Sequence, residues 1–248
     1  MFHSFNNFLR ISRLKNAHLG GTAFIIGNGP SLKAKDLNLI HQNNIPSFAS
    51  NKIYKIFDKT NWRPSYFVIE DYGICSSNFA EIQEKIHCTI FAGDYLAKFF
   101  QKKTQPLYFK QLERVIPPRK PAFSKSITQG INSGGTVTYT CIQIACFLGF
   151  TDLILLGVDF DYSTPDLRPH DTFMGYNTYT PNNKANYFDS NYLDEKENIF
   201  APDLETSYCA YLSVAEKIKS GTLKCKVRNA TRGGKLEIFK RVDFDSIF

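Results

Sequence analysis

Two short glycine-bearing stretches, far apart in the chain, hold most of the chemistry that can be read from residue types and spacing. Gly27-Asn28-Gly29-Pro30-Ser31 ends an apolar run. Its glycines let backbone approach a ligand closely or take positive φ, and exposed N–H groups ahead of a helix attract phosphate. A plain tight turn capped by Ser31 is the alternative. The spacing matches neither the dinucleotide fingerprint nor a Walker loop with its lysine, which disfavours nicotinamide cofactors and P-loop hydrolysis. Ser133-Gly134-Gly135-Thr136 is a second small-residue loop before a helix. Its alternative reading is an N-cap by Ser133 with glycines for packing. Two such loops on one rim would grip a single phosphorylated nucleotide.

Two acidic doublets follow apolar runs. Asp159-Phe160-Asp161 sets two carboxylates two apart, able to hold Mg²⁺ or Mn²⁺ against a diphosphate. Alternatively, Asp159 ties down a neighbouring loop. Glu70-Asp71 supplies a base, binds a sugar hydroxyl, or is a solvated turn. The histidines are His3, His18, His41, His87 and His170, and only His170, beside Asp171, lies in a long polar segment. By position it is the candidate general acid/base, against the alternative of a surface histidine. Tyr162, Tyr176, Tyr179, Tyr187 and Tyr192 add stacking faces and hydroxyls for a sugar or base.

The elements that must position these residues alternate in type. Thr22–Ile26, Ser47–Ala49, Ser65–Ile69, Cys88–Phe91, Asp152–Val158 and Cys225–Asn229 read as strands, mostly continuous rather than alternating in apolarity. Between them, Asp36–Ile40, Asn78–Ile86, Val137–Leu148 and Glu205–Lys219 have helical patterns, with Gly149 as a stop. This predicts an α/β, doubly wound, mostly parallel sheet covered on both faces, with ligands at the carboxyl ends of its strands. The basic, Pro-rich segment Gln101–Thr128 reads as an irregular excursion, and residues 162–202 as a Tyr- and Asn-rich lid. The expectation is one domain over residues 1–248, with residues 1–20 as an amphipathic extension. That extension either packs on its own domain or touches an anionic membrane.

Composition narrows the class. With 248 residues the chain can bury a core without disulfide or metal staples. Its six cysteines form no C-x-x-C pair and suit reduced thiols. No apolar run approaches the ~20 residues of a bilayer span, and Met1–Leu14 lacks a signal-peptide pattern, so a cytoplasmic protein is expected, with contact at the inner membrane face as a further option. A net charge of +7 favours anionic partners. The basic residues are dispersed and no nucleic-acid-binding signature occurs, so nucleic acid is not expected as a partner.

Several blocks also carry a resemblance: I-G-N-G-P-S-L from Ile26, S-N-K-I-Y from Ser50, W-R-P-S-Y-F-V-I-E-D from Trp62, S-G-G-T-V from Ser133, L-L-G-V-D-F from Leu155 and N-A-T-R-G-G-K-L-E-I-F from Asn229. Together they resemble the DUF115 group, described as 6-hydroxymethylpterin diphosphokinase-like, which includes the core of motility-associated factor glycosyltransferases. The group is similar to bacterial CMP-sialic-acid sialyltransferases. The resemblance implies a Rossmann-like fold, with the CMP part of a donor held by Gly27, Asn28, Gly29, Ser31, Asn51, Ser133 and Gly134. It further implies a lid histidine as base and no essential metal in the transfer step. Here the corresponding stretch, Asn186-Tyr187-Phe188-Asp189-Ser190, has no histidine, so His170 or Asp189 substitutes, or the chemistry differs. The leading expectation is transfer of a nonulosonic-acid-type sugar from a CMP donor to a glycan or protein acceptor. The alternatives are a Mg²⁺-dependent pyrophosphokinase, with Asp159 and Asp161 on the metal, and a non-catalytic nucleotide-binding subunit.

Overall fold

The apolar runs line up as one eight-stranded sheet in which every neighbouring pair is parallel. The structure, a computed structural model, describes residues 2–100, 105–162, 169–173, 176–179, 186–194 and 199–248, with side chains at residues 5–100, 105–162, 186–194 and 200–248. The chain opens with α1 (Phe2–Ser12), β1 (Thr22–Ile26), α2 (Ala34–Gln42), β2 (Ser47–Ser50) and β3 (Tyr66–Ile69). It continues through α3 (Tyr72–Lys85), β4 (Thr89–Gly93), β5 (Leu107–Phe109), β6 (Gln111–Leu112), β7 (Ile131–Asn132), α4 (Val137–Phe147) and β8 (Asp152–Leu156). It closes with β9 (Pro169–Phe173), β10 (Tyr176–Tyr179), β11 (Ile199–Phe200), α5 (Leu204–Lys219), β12 (Lys226–Asn229) and β13 (Lys240–Arg241).

Strand order in the large sheet is β13-β12-β8-β1-β2-β3-β4-β5. The chain therefore moves outward from β1 in one direction and later from β8 in the other. That reversal opens a crevice beyond the carboxyl ends of β1 and β8, the usual place for a ligand in an open α/β sheet. Both faces of the central strands are buried, which is why β1, β3 and β8 are almost continuously apolar. Ala23 and Ile25 of β1 pack with α4 and α5, while Phe24 and Ile26 pack with α2 and α3. The result is a Rossmann-like α/β fold.

Four local differences from the sequence pattern have physical causes. α3 starts at Tyr72 rather than Asn78, because the Asp71 carboxylate accepts the Ile74 N–H at 2.9 Å and begins the helix six residues earlier. Asn78 is instead a kink, with φ −123° and its side-chain amide donating to the Ile74 carbonyl. α4 is capped by Thr136, whose hydroxyl accepts the Thr138 N–H, and not by Ser133. The Gln101–Thr128 excursion contains β5, which extends the large sheet, and β6, which pairs with β7. Within the segment read as a lid, β9, β10 and β11 form a small antiparallel sheet.

α1 docks by its polar side. Asn7 donates to the Tyr108 carbonyl at 2.7 Å and accepts its N–H at 2.9 Å, and Arg10 donates to the Gln105 carbonyl. Ile11 is buried, whereas Phe5 and Phe8 are exposed. Among the described residues no helix is long and apolar enough to cross a membrane.

Candidate functional site

The first glycine loop is shaped by its contact with the loop after β8. A Cβ at Gly27 would overlap the Gly157 carbonyl, and one at Gly29 would overlap the Asp159 carboxylate, so only glycine lets the two turns touch. The Gly27 and Gly29 N–H groups donate to the Leu156 and Gly157 carbonyls at 2.8 and 2.9 Å. Ser31 donates its hydroxyl and N–H to Asp159 Oδ2 at 2.8 and 3.4 Å. These donors are therefore spent inside the protein. The expectation that they face a phosphate is corrected, and Asp159 does tie down the neighbouring loop. Pro30 and Ser31 lie outside the cavity lining described next.

What this loop presents outward is Asn28. Its side-chain nitrogen donates to the Ser50 carbonyl at 3.2 Å, while Oδ1 is buried with no hydrogen-bond partner among the described residues. Asn51 repeats the pattern at the end of β2, with a buried Oδ1 that also has no hydrogen-bond partner among the described residues. Its φ of 55° is a left-handed conformation that asparagine tolerates better than most residues. Both asparagines line a cavity of about 820 Å³, together with Gly27, Gly29, Ser133, Gly135, Thr136, Glu70, Asp71, Asp159, Asp161, Tyr162 and Tyr187. The two glycine loops, about a hundred residues apart, thus meet at one rim. Gly134 does not join them. A Cβ there would overlap Tyr139 and crowd Ala210, so this glycine serves helix packing.

Three helices open onto the same space with their N-terminal ends, α3 at Tyr72, α4 at Val137 and α5 at Leu204. Their dipoles favour negative charge in the cavity. Two of the ends are already capped by carboxylates. Asp71 holds the Ile74 N–H, and Asp203 accepts the Thr206 N–H at 3.1 Å while pairing with Arg114. Asp71 is thus first a helix cap, though it stays in the lining.

The remaining acidic groups differ sharply. Asp161 pairs with Lys235 at 2.7 Å, and Phe160 between the two aspartates sits at φ 51°, a strained setting for a bulky side chain. Burial pushes the Asp159 carboxyl above its ordinary value, against the hydrogen bonds from Ser31. Among the described residues no three His, Cys, Asp or Glu side chains cluster as a metal cage. With Asp159 held by Ser31 and Asp161 by Lys235, the pair does not fit a metal held by protein ligands. Glu70, at the end of β3, accepts the Thr140 hydroxyl at 2.8 Å. Burial raises its carboxyl to about 7; the Thr140 bond opposes the shift and the charge of Asp71 adds to it.

Asp189 stands apart from this cavity. It pairs with Lys59 at 2.6 Å outside the cavity lining, and that hydrogen bond holds its carboxyl below the usual range. A carboxylate so stabilised is a poor proton acceptor. The side chains of His170, Tyr176 and Tyr179 lie outside the described residues, and among the described residues no histidine lines the cavity. Tyr187 stacks on Tyr192 with ring centroids 4.1 Å apart, and the Phe188 N–H donates to the Asn28 carbonyl at 3.1 Å, which docks residues 186–194 on the first loop.

Other contributors had no site reading in the sequence. Thr231 accepts the Val158 N–H at 3.1 Å, and the Lys235 N–H donates to the Asp159 carbonyl at 2.7 Å, so the N-A-T-R-G-G-K stretch fixes the loop after β8. That motif was the available signal, although its residues reveal no role by type. Arg114 and Tyr95 also line the cavity, and nothing in their neighbourhoods singled them out.

The family model described as 6-hydroxymethylpterin diphosphokinase MptE-like matches residues 1–165, a span holding both glycine loops, Glu70 and the Asp159–Asp161 turn. The chain belongs to the MptE-like family. Among solved structures, this MptE-like chain is similar to the MAf glycosyltransferase from Magnetospirillum magneticum AMB-1, with a TM-score of 0.57 at 16% identity. The match covers 99% of this chain and 39% of that one, so the MptE-like chain spans about two fifths of its neighbour, and the likeness is one of fold. No curated protein matches the chain.

Proposed function

We propose that this MptE-like protein is a glycosyltransferase that moves a nonulosonic-acid-type sugar from a CMP-activated donor to a glycan or protein acceptor. The observation that carries the reading is the meeting of both glycine loops at the β1/β8 crevice, with the Asn28 and Asn51 amide oxygens buried and unpartnered there. A buried acceptor without a donor costs about 1–3 kcal/mol, and ribose hydroxyls or a cytosine amino group would supply the donors. A cavity of about 820 Å³ has the size of small-molecule sites generally and is roomy enough for a nucleotide-sugar. The donor phosphate would sit at the α4 N-terminus, near Ser133 and Thr136, and Tyr187 would offer a flat face to a base or sugar. Orientation by these groups, and neutralisation of the departing phosphate by the helix ends, are the chain's contributions to transfer.

The test is calorimetric titration with CMP, CDP, UDP and GDP. Binding of CMP with measurable heat, weakened at least about tenfold in Asn51→Gly, is expected. Absence of CMP binding overturns the reading.

The family description favours a second reading, pyrophosphate transfer from ATP to a pterin alcohol. It requires AMP release from ATP in the presence of 6-hydroxymethyldihydropterin and Mg²⁺. No AMP formation disposes of it.

A further inference from the structure

Six carboxylates line the cavity among the described residues, and they are not equivalent. Asp71 and Asp203 cap α3 and α5, and Asp203 also pairs with Arg114. Asp161 faces Lys235. Asp159 lies against Gly29 and takes two hydrogen bonds from Ser31. Glu113 is exposed just beyond β6. Glu70 is the exception. Its side chain accepts from one neutral hydroxyl, that of Thr140, and among the described residues it makes no ion pair.

We propose that Glu70 is the base that takes the proton from the acceptor hydroxyl in this cavity, an assignment that rests on the transfer reading above. Position supports it. Neighbouring strands lie about 4.8 Å apart, so the end of β3 is about 10 Å along the rim from the β1 loop. That separation leaves the nucleotide at β1, β2 and β8 and puts Glu70 beside the group being transferred. The residue is also held in place: its carbonyl accepts the Tyr95 hydroxyl, and Thr140 on α4 fixes one carboxylate oxygen.

The acceptor O–H proton passes to the Glu70 carboxylate as the acceptor oxygen bonds to the anomeric carbon. The bond from that carbon to the donor's phosphate oxygen breaks, and its electron pair leaves with CMP. A base is most effective when its pKa lies near the working pH, and burial brings Glu70 to about 7. The titratable groups around it are Asp71 on its own strand end, Tyr95 beyond β4 and Cys141 on α4.

The experiment combines three readouts on wild type, Glu70→Gln and Thr140→Val, with folding of each checked by circular dichroism. Carbon-13 NMR of the glutamate carboxyls should show one group titrating near 7, absent in Glu70→Gln and shifted upward in Thr140→Val. CMP release from CMP-N-acetylneuraminic acid, with lactose or water as acceptor, should rise through the same pH in wild type. It should fall at least about 100-fold in Glu70→Gln while CMP affinity by calorimetry stays within about twofold. If CMP binds but Glu70→Gln turns over at the wild-type rate, or no carboxyl titrates near 7, the assignment of Glu70 fails and the nucleotide reading stands. If CMP does not bind, or wild type releases none from the donor, both fail together.

Discussion

At the scale of single residues, the acidic groups of the cavity are sorted by what donates to them. Between an unfolded value near 4.5 and a folded value of about 7, the native state binds more protons at Glu70 than the unfolded chain does. Stability at this site therefore falls as pH rises from about 4.5 and levels off above about 7. Glu70→Gln is predicted to stabilise the protein by roughly 1–3 kcal/mol at pH 8 and by nothing at pH 4, as read by urea unfolding at both pH values. Asn51 separates two roles in the same way. Asn51→Gly keeps the left-handed backbone and loses the amide, so the melting temperature should hold while CMP affinity drops. Asn51→Leu should lose about 1–2 kcal/mol of stability as well. Gly29→Ala forces a methyl into the Asp159 carboxylate and should cost about 1–3 kcal/mol by thermal unfolding. The sequence makes Glu70 visible as an acid past an apolar run, but not its burial. Its hydroxyl partner lies 70 residues away on α4, and Tyr95 lies 25 residues away. Asp189 is the opposite case, since its ion pair with Lys59 spans 130 residues and leaves no local trace in the sequence.

Among elements, legibility follows length and punctuation. β1 and β8 are five-residue strands, apolar after their first residue, that run into glycine-bearing turns; β1 keeps the expected bounds, and β8 stops two residues short of Val158. β5 has three residues after Pro106, too short for periodicity to register. α3 shows how a polar cluster misleads. Ser76-Ser77-Asn78 looks like a helix start, yet the stronger cap is the Asp71 carboxylate just before Tyr72. α1 was legible as a helix but not in its docking, because an apolar stripe predicts burial of Phe5 and Phe8 while Asn7 and Arg10 make the contact. Asn7→Ala removes both bonds to Tyr108 and should destabilise α1 docking by about 1 kcal/mol, seen as faster hydrogen exchange at the Tyr108 amide with little change in the α4 amides.

For the whole molecule, what the sequence lacked was strand order. The rule that ligands gather at carboxyl ends was available, but that β8 inserts beside β1, bringing loops about a hundred residues apart together, depends on tertiary packing. The C-terminal tail closes this arrangement. Arg232 donates to both oxygens of fully buried Asp36 at 3.0 and 3.1 Å and also binds Asp245, joining the tail to α2. Arg232→Ala strands a buried carboxylate and is predicted to cost about 3–5 kcal/mol in urea unfolding. The proposed nucleotide would act in the opposite direction: on that reading, CMP at 100 times its dissociation constant should add about 2.7 kcal/mol, a rise of roughly 5–10 °C in melting temperature read by thermal unfolding. The polar docking of α1 has a consequence for association. Tyr108 sits on the outermost strand, and the Asn7 amide occupies a main-chain donor and acceptor that would otherwise invite a foreign β-segment. A polypeptide shortened to start at Leu14 would bare that ribbon, and light scattering should then show self-association that grows with concentration beyond that of the longer chain.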